Sequence, residues 1–121
     1  GNRARRRAVE SGAGGRRAAA TAQAVKISWT ASAAADLVRL HDFLAPVAPE
    51  AAARVVQQLA HAPDRLRDFP RLGERLDAYL PREVRRITVG HYELRYEIAG
   101  AEIFILRLWH SRENRASGPQ D

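Results

Sequence analysis

The stretch that decides the fold runs from Tyr92 to His110 and reads "YELRYEIAGAEIFILRLWH". It contains two segments of strand length, and the "AGA" between them is short enough for a tight turn. A third candidate strand, "REVRRITV" (82–89), precedes them after the equally short "GH". Strands joined by such short turns predict an antiparallel meander. The last strand is apolar on both faces, which predicts a central position in the sheet.

The chain before this meander predicts one strand and two helices. "VKISWT" (25–30) alternates apolar and polar residues, as a half-buried strand does. The first helix follows, with Thr30 or Ser32 as its N-cap. Its apolar residues recur at helical spacing, while its polar residues are predicted to point away from them. The apolar set is Leu37, Leu40, Leu44 and Val47, and the polar set is Asp36, Arg39 and Asp42.

A second amphipathic helix is predicted from Pro49, with an apolar stripe that continues to Phe69. Pro63 removes a backbone donor, so we expect a kink or break there. The segment 70–81 is predicted to be a loop because Pro70, Gly73 and Pro81 interrupt it. The predicted class is α+β in the order β-α-α-β-β-β, with a helical hairpin on one face of a twisted antiparallel sheet.

Charge and composition divide the chain into three parts. Residues 1–24 carry six arginines against Glu10 alone and few large apolar groups, which predicts a flexible basic arm. Residues 25–115 form the predicted globular domain, and residues 116–121 form a short tail. A chain without cysteine excludes disulfides, thiolate metal sites and cysteine nucleophiles. The lack of cysteine also fits the reducing cytoplasm, where we expect the protein to be located. No apolar run approaches the roughly 20 residues that span a bilayer, so we expect no membrane association.

Alternation along the strands places several basic side chains away from the helices. In the second meander strand, Glu93, Arg95 and Glu97 share the face opposite Tyr92, Leu94, Tyr96 and Ile98, which should meet the helices. We call the Glu93–Arg95–Glu97 side of the sheet the open face. In the last strand, alternation predicts that Phe104, Leu106, Leu108 and His110 oppose Ile103, Ile105, Arg107 and Trp109. Arg107 is therefore expected on the open face beside Arg95, and one of Arg85 and Arg86 should join them.

The candidate site combines this open face with the end of the last strand. Its members are Arg82, Arg85 or Arg86, Arg95, Arg107, His110 and Arg112. Guanidinium groups can bind phosphate in a bidentate manner, and a histidine can act as a general base in RNA cleavage. The alternative is structural, because Arg95 and Arg107 can pair across strands with Glu83, Glu93 or Glu97. We expect no cofactor and no metal site, since one histidine among scattered carboxylates is not a ligand set.

Several short motifs, taken together in order, resemble the RelE/ParE toxins of bacterial type II toxin–antitoxin pairs. The resemblance covers about 25–115. The motifs are "W-T-x-x-A-x-x-D-L" from Trp29, "A-A-x-R-V-V" from Ala51, "L-x-D-F-P-R-L-G" from Leu66, "R-E-V" from Arg82, "Y-E-L-R-Y-E-I" from Tyr92 and "I-L-R-L-W-H-S-R" from Ile105. The resemblance implies the same β-α-α-β-β-β fold, a role in growth inhibition and plasmid stabilisation, and a cognate antitoxin whose amphipathic segment wraps the toxin.

The resemblance implies two possible targets. ParE-like members inhibit DNA gyrase, whereas RelE-like members cleave mRNA on the ribosome. The helical hairpin and "D-F-P-R-L-G" favour the ParE-like reading, and Glu93 stands where an arginine of the ribonucleases is expected. Under the endonuclease alternative, His110 would be the base, and Arg86 and Arg112 would bind phosphate. A third alternative is a non-catalytic domain that binds nucleic acid through the basic arm.

Overall fold

The computed structural model describes residues 25–113; the predicted basic arm and the predicted tail lie outside the described residues. The elements, in chain order, are β1 (Lys26–Trp29), α1 (Ala31–Leu44), α2 (Pro49–His61), a 3-10 helix (Ala62–Arg67), β2 (Glu74–Arg75), a 3-10 turn (Asp77–Tyr79), β3 (Glu83–Val89), β4 (Tyr92–Ala99) and β5 (Glu102–His110). None of the helices in this range is long and apolar enough to cross a bilayer.

Thr30 joins β1 to α1 and fixes where the helix begins. Its Oγ1 accepts a hydrogen bond from the Ala33 N–H at 3.1 Å, as an N-cap side chain does. The same Oγ1 donates to the backbone oxygen of Ile105 at 2.8 Å. The cap therefore also fastens the start of α1 to the middle of β5.

The two helices form a hairpin over one face of the sheet, as predicted. Leu40 of α1, Leu59 of α2 and Leu66 of the 3-10 helix are buried against Leu94 and Tyr96 of β4. Helix α2 ends at His61, just before Pro63, so the predicted break is confirmed. The predicted burial of two residues in the apolar stripes is wrong, because the helices end before these residues. Val47 is 88% exposed and Phe69 is 64% exposed.

The sheet has the order β1-β5-β4-β3-β2. The β3–β4–β5 meander is antiparallel, and β5 has a strand on both sides, as predicted. Two details differ from the sequence prediction. Strand β1 pairs with β5 in parallel, since the helical hairpin carries the chain across the sheet before β5 returns. The segment predicted to be a loop also contains β2, whose two residues pair with Arg86 and Arg85 of β3.

A bulge in β5 changes the predicted alternation. Arg95 lies opposite Arg107, but the next residue, Tyr96, lies opposite Ile105, so Leu106 is the additional residue. The predicted sides are therefore wrong for the residues from Ile103 to Leu106 and right for those from Arg107 to His110. Ile103, Ile105, Leu108 and His110 fall on the helix side, whereas Phe104, Leu106, Arg107 and Trp109 fall on the open face.

Part of the open face is covered by the segment between β2 and β3, which was not expected. Tyr79 of the 3-10 turn is 5% exposed and packs with Val84 and Leu106. The cluster also includes the partly buried Leu76 and Phe104. The sheet thus has a small second core on the side opposite the helices.

The loop before β2 is attached to the sheet by Tyr96. The hydroxyl of Tyr96 donates to the Pro70 carbonyl at 2.7 Å and accepts from the Gly73 N–H at 2.9 Å. A Cβ at Gly73 would lie 2.5 Å from the backbone oxygen of Arg86, so this contact requires glycine. Burial raises the pKa of Tyr96, which keeps the hydroxyl able to donate. The "P-R-L-G" part of the family motif therefore has a packing role.

Asp36 was predicted to point away from the core, and this is wrong. Strand β1 pairs with β5 only as far as Ile105, and the side chains of α1 cover the β5 edge beyond it. Asp36 is 3% exposed and accepts the Leu108 N–H at 2.8 Å. Arg39, also predicted to point away, donates to the Leu108 carbonyl at 3.0 Å and to Asp36 at 3.1 Å. These side chains replace the missing strand partner of Leu108.

We expect Asp36→Asn to lower the free energy of unfolding by about 3 kcal/mol, because it removes a buried counter-charge and leaves cationic donors facing an amide. Urea unfolding measures the change. Asp42→Asn is the matched control on the same helix, where the side chain is 72% exposed and a change within about 0.5 kcal/mol is expected. Equal losses in the two variants would contradict this role of Asp36.

Candidate functional site

A row of arginines crosses the open face on three neighbouring strands. Arg86 of β3 lies opposite Arg95 of β4, which lies opposite Arg107 of β5. Arg107 is therefore beside Arg95, as predicted, and Arg86 is the member of the Arg85–Arg86 pair that joins them. Arg85 is on the helix side, where it donates to the Gly73 carbonyl at 2.7 Å and to Glu83 at 2.9 Å. Arg85 is thus a contact of the loop and not part of the open-face row.

Arg95 is held at the centre of the row by an acid and two aromatic rings. Its Nε donates to Glu93 at 2.9 Å and its Nη1 to the Tyr79 hydroxyl at 2.8 Å. Its guanidinium carbon lies 4.5 Å from the centre of the Trp109 ring. Burial acts to lower the pKa of Arg95, but the bonds and charges of Glu93 and Tyr79 outweigh it, so the pKa is raised. The charge of Arg95 is therefore used within the protein.

The flanking arginines are paired in the same manner. Arg107 donates to Asp36 at 2.8 Å and 3.2 Å, and its guanidinium carbon lies 5.1 Å from the centre of the Trp109 ring. Arg82 donates two hydrogen bonds to Glu97, at 2.8 Å and 3.2 Å, and lies 5.5 Å from the Tyr79 ring. Each cation has a carboxylate and an aromatic neighbour, which is the structural alternative weighed above.

Arg86 completes the row and is also paired. It donates to Glu74 at 3.0 Å, and its Nη1 lies 3.7 Å from Glu93. Glu93 is 8% exposed, so it is a buried acid shared by Arg86 and Arg95. A phosphate approaching this face would meet carboxylates as well as guanidinium groups. The open face is therefore an ion-pair network in which the arginines of the row are paired with carboxylates.

A similar arrangement surrounds Glu83 at the start of β3. Arg71 donates to this carboxylate at 2.9 Å and Arg85 does so at 2.9 Å. Burial acts to raise the pKa of Glu83, but these two arginines outweigh it and lower the pKa. The ion pairs contribute stability above the unfolded-state pKa of glutamate and lose it as the pH falls through the lowered value. Glu83 is thus another acid whose role is structural.

His110 lies on the helix side, opposite Tyr92 of β4. Its Nδ1 accepts the Arg112 N–H at 3.0 Å, and its ring meets the Tyr92 ring edge-on with 5.1 Å between centres. A neutral imidazole has one nitrogen lone pair, so this bond occupies the lone pair and places the proton on Nε2. In this arrangement the Nε2–H of His110 is a hydrogen-bond donor.

The turn after β5 is anchored to α1. Glu113 accepts the His110 N–H at 2.8 Å, and its other carboxylate oxygen pairs with Arg39. A mainly apolar cavity of about 300 Å³ lies beside this turn. It is lined by Leu40, Phe43, Leu44, Tyr92, His110, Arg112 and Glu113. The cavity is bounded by apolar side chains of α1, and its charged lining residues are Arg112 and Glu113.

The three residues of the endonuclease alternative are not brought together. His110 is on the helix side beside α1, and Arg112 is in the turn that follows it. Arg86 is on the open face, on the other side of the sheet, bonded to Glu74. The proposed base, His110, and one of the two proposed phosphate-binding arginines, Arg86, therefore lie on opposite sides of the sheet. Within residues 25–113, no group of three histidines or acids is placed to hold a metal ion.

Sequence reasoning named Glu93 as a possible partner of Arg95, but it missed two other acids and the aromatic ring that organise these side chains. Asp36 and Glu113 pair with α1 and β5 side chains from more than 70 positions away, so no local pattern identifies them. Tyr79 was placed in a loop without a role, although it bonds Arg95. One signal existed for Asp36. Asp36 belongs to the "W-T-x-x-A-x-x-D-L" motif. Two other residues of that motif have structural roles, since Thr30 is the helix cap and Ala33 is fully buried.

Comparison with known proteins gives this arrangement a family. Residues 27–115 match the family model described as the ParE toxin of the type II toxin–antitoxin system parDE. The chain belongs to the ParE toxin family. The toxin RelE2 of Caulobacter vibrioides is 34% identical to it over 86 residues, which cover 71% of this chain and 94% of that toxin. A structure of the chromosomal ParDE toxin–antitoxin system of P. aeruginosa superimposes with a TM-score of 0.62 at 27% identity, covering 73% of this chain and 97% of that one.

These matches confirm the toxin assignment, which was predicted from the motifs, and the predicted α+β fold. A toxin of a type II system implies a cognate antitoxin as its partner. The ParE toxin fold is built here from the features described above: the capped hairpin, the five-stranded sheet and the Asp36 contact with β5.

We expect neutral His110 to be the Nε2–H tautomer in solution, because its Nδ1 accepts a backbone hydrogen bond. The ¹⁵N chemical shifts of the two ring nitrogens at alkaline pH report the tautomer directly. His91 is the control, since neither of its ring nitrogens has a hydrogen-bond partner within residues 25–113, and we expect a mixture of tautomers there. A proton on Nδ1 of His110, with Nε2 bare, would restore it as a candidate base.

Proposed function

We propose that this ParE-family toxin inhibits DNA gyrase by binding it, without catalysing a reaction of its own. One observation carries the proposal: the candidate arginines of the open face are all bonded to carboxylates, and the lone pair of His110 is in use. A binding toxin requires a stable shape and complementary surfaces, and this arrangement supplies both. The match to the ParE toxin model supports the same choice of target class.

The geometry of these residues does not favour the endonuclease alternative. Cleavage through the 2′-hydroxyl needs a base, an acid and cations at the same phosphate. Arg86 and His110 occupy opposite sides of the sheet, and Glu93 places a negative charge beside Arg86. The name of the RelE2 relative is the observation that keeps this alternative open. Ribosome-bound mRNA would then be the partner in place of gyrase.

The surface near the cavity is suited to a protein partner. Phe43 is 78% exposed at the cavity rim, and Val47 is 88% exposed just beyond the end of α1. Large apolar side chains exposed together usually mark an interaction surface. We propose that the antitoxin or the target covers this apolar tip of the helical hairpin. Because gyrase and ribosomes are both cytoplasmic, the proposed place of action is the cytoplasm.

Induced expression without antitoxin distinguishes the proposed functions. We expect gyrase-linked DNA breaks with intact mRNA, and we expect them to persist in His110→Ala because that side chain takes no part in chemistry. A general base contributes about 10²- to 10⁴-fold to a rate, so an endonuclease would lose nearly all its activity in the same variant. His41→Ala, on the exposed side of α1, is the control for effects on folding.

Two outcomes would move the function elsewhere. Codon-phased mRNA cuts that disappear in His110→Ala would establish the endonuclease. A protein that produces neither DNA breaks nor mRNA cuts, and whose affinity for nucleic acid falls when Arg5, Arg6 and Arg7 of the basic arm become glutamine, would be a nucleic-acid-binding domain instead. Measuring breaks, cuts and binding on the same preparations separates these readings.

A further inference from the structure

The hydroxyl of Tyr92 is buried and has no hydrogen-bond partner within residues 25–113. Tyr92 is 8% exposed, and no hydrogen bond of its side chain is formed with this part of the chain. The other two tyrosines differ, because the Tyr79 hydroxyl accepts from an arginine and the Tyr96 hydroxyl bonds the backbone twice. Burial and the nearby negative charge of Glu113 raise the pKa of Tyr92, so its hydroxyl stays protonated. A buried phenol normally has a partner, and this one lacks an acceptor.

Tyr92 lines the cavity beside the turn after β5, and the other polar groups of that lining are mostly donors. His110 contributes an Nε2–H, since its Nδ1 accepts a backbone bond. The Arg112 side chain makes no hydrogen bond or ion pair within residues 25–113. Glu113 is the acid of the lining, but its carboxylate already accepts the His110 N–H and pairs with Arg39. The cavity therefore offers hydrogen-bond donors and one unpaired positive charge.

The rest of the lining is apolar and consists of Leu40, Phe43 and Leu44 of α1. A water molecule could accept from the Tyr92 hydroxyl, but it occupies only about 30 Å³ and gains nothing from leucine side chains. The cavity volume of about 300 Å³ is at the lower end of the range of small-molecule sites. The cavity thus suits a ligand that has an apolar body and an anionic acceptor group.

We propose that this cavity binds a small carboxylate with an alkyl or aryl body. The carboxylate would accept hydrogen bonds from Tyr92, His110 and Arg112, which are stronger than bonds to a neutral acceptor. Its apolar body would lie against Leu40. An ammonium compound would instead bring donors and a positive charge to a site that already has both. The ligand is a free small molecule, because the volume matches one, and its binding does not depend on whether the toxin acts on gyrase or on mRNA.

An NMR titration of the full chain with octanoate tests the proposal. We expect a Kd on the order of 1 mM, as for a ligand of this size. The amide shifts should be confined to cavity residues such as Leu40, Tyr92 and His110. Phe69 and Leu72 are internal controls, because they are 64% and 51% exposed and lie outside the cavity lining. Shifts of equal size at these two residues would show detergent-like binding to any apolar surface and overturn the site.

Two further compounds test the anionic group of the ligand. Octanol has the same chain without the charge, and we expect it to bind about fivefold more weakly than octanoate. Octylamine should produce no shifts at the same concentration, because its charge is opposite. Octylamine that binds as tightly as octanoate would show that the cavity selects only the alkyl chain, which would overturn the proposed class of ligand.

A matched pair of tyrosine variants tests the role of the unpartnered hydroxyl. Tyr92→Phe should weaken octanoate binding about tenfold, as loss of a hydrogen bond to a charged group does. It should leave urea unfolding unchanged, because the protein itself loses no bond. Tyr96→Phe should do the reverse, lowering the stability and leaving the affinity unchanged, since its hydroxyl holds Pro70 and Gly73. Equal losses of stability in the two variants would show that the Tyr92 hydroxyl has a protein partner, and would overturn the inference.

Arg112→Gln tests the charge independently of Tyr92. We expect it to weaken octanoate binding about fivefold and to leave octanol binding unchanged, because only the carboxylate uses the guanidinium group. Octanoate affinity that is unchanged in both Tyr92→Phe and Arg112→Gln would overturn the proposal, as would an absence of shifts in the unaltered protein at about 10 mM octanoate. None of these results would alter the outcome of the gyrase and mRNA assays.

Discussion

The carboxylate of Asp36 is the contact on which the rest of the architecture depends. Strand β1 is shorter than β5, so the second half of β5 would have an open edge under the helical hairpin. Asp36 accepts the Leu108 N–H there and binds the Arg107 and Arg39 guanidinium groups. One buried acid thus joins helix α1, the backbone of β5 and an arginine of the open face. The buried charge of Asp36 is tolerated because one backbone N–H and two guanidinium groups donate hydrogen bonds to it.

This contact also determines what the arginines can do. The guanidinium group of Arg107 bonds Asp36 beyond the β5 edge, and its carbon lies over the Trp109 ring. Arg95 stacks on the same ring and bonds Glu93. The open face is therefore nearly neutral, although a count of its arginines alone indicates a basic surface. The same guanidinium chemistry that suits phosphate suits carboxylates, and here the carboxylates belong to the protein.

The sequence was sufficient for the parts of the fold that depend on local patterns. Short turns and alternation predicted the meander, and the apolar face of β4 predicted which side meets the helices. The bulge at Leu106 could not be predicted, because alternation on either side of it reads as regular. The parallel direction of β1, the pairing of Glu74 and Arg75, and the burial of Asp36 all depend on contacts between distant residues. In the candidate site, the pairing of Arg95 with Glu93 was among the predicted alternatives, whereas the pairing of Arg107 with Asp36 depends on such a distant contact.

A shared fold does not determine the target within this family, so the argument for the target depends on side chains. In this chain Arg86 is engaged in ion pairs on the opposite side of the sheet from Arg112, and His110 uses its lone pair to hold the turn before Glu113. What remains available for recognition of a target is of a different kind: apolar side chains at the hairpin tip. Such side chains bind protein surfaces rather than phosphates. A chain with the arginines of its open face used internally and its apolar groups exposed is better suited to capturing a protein than to cutting RNA.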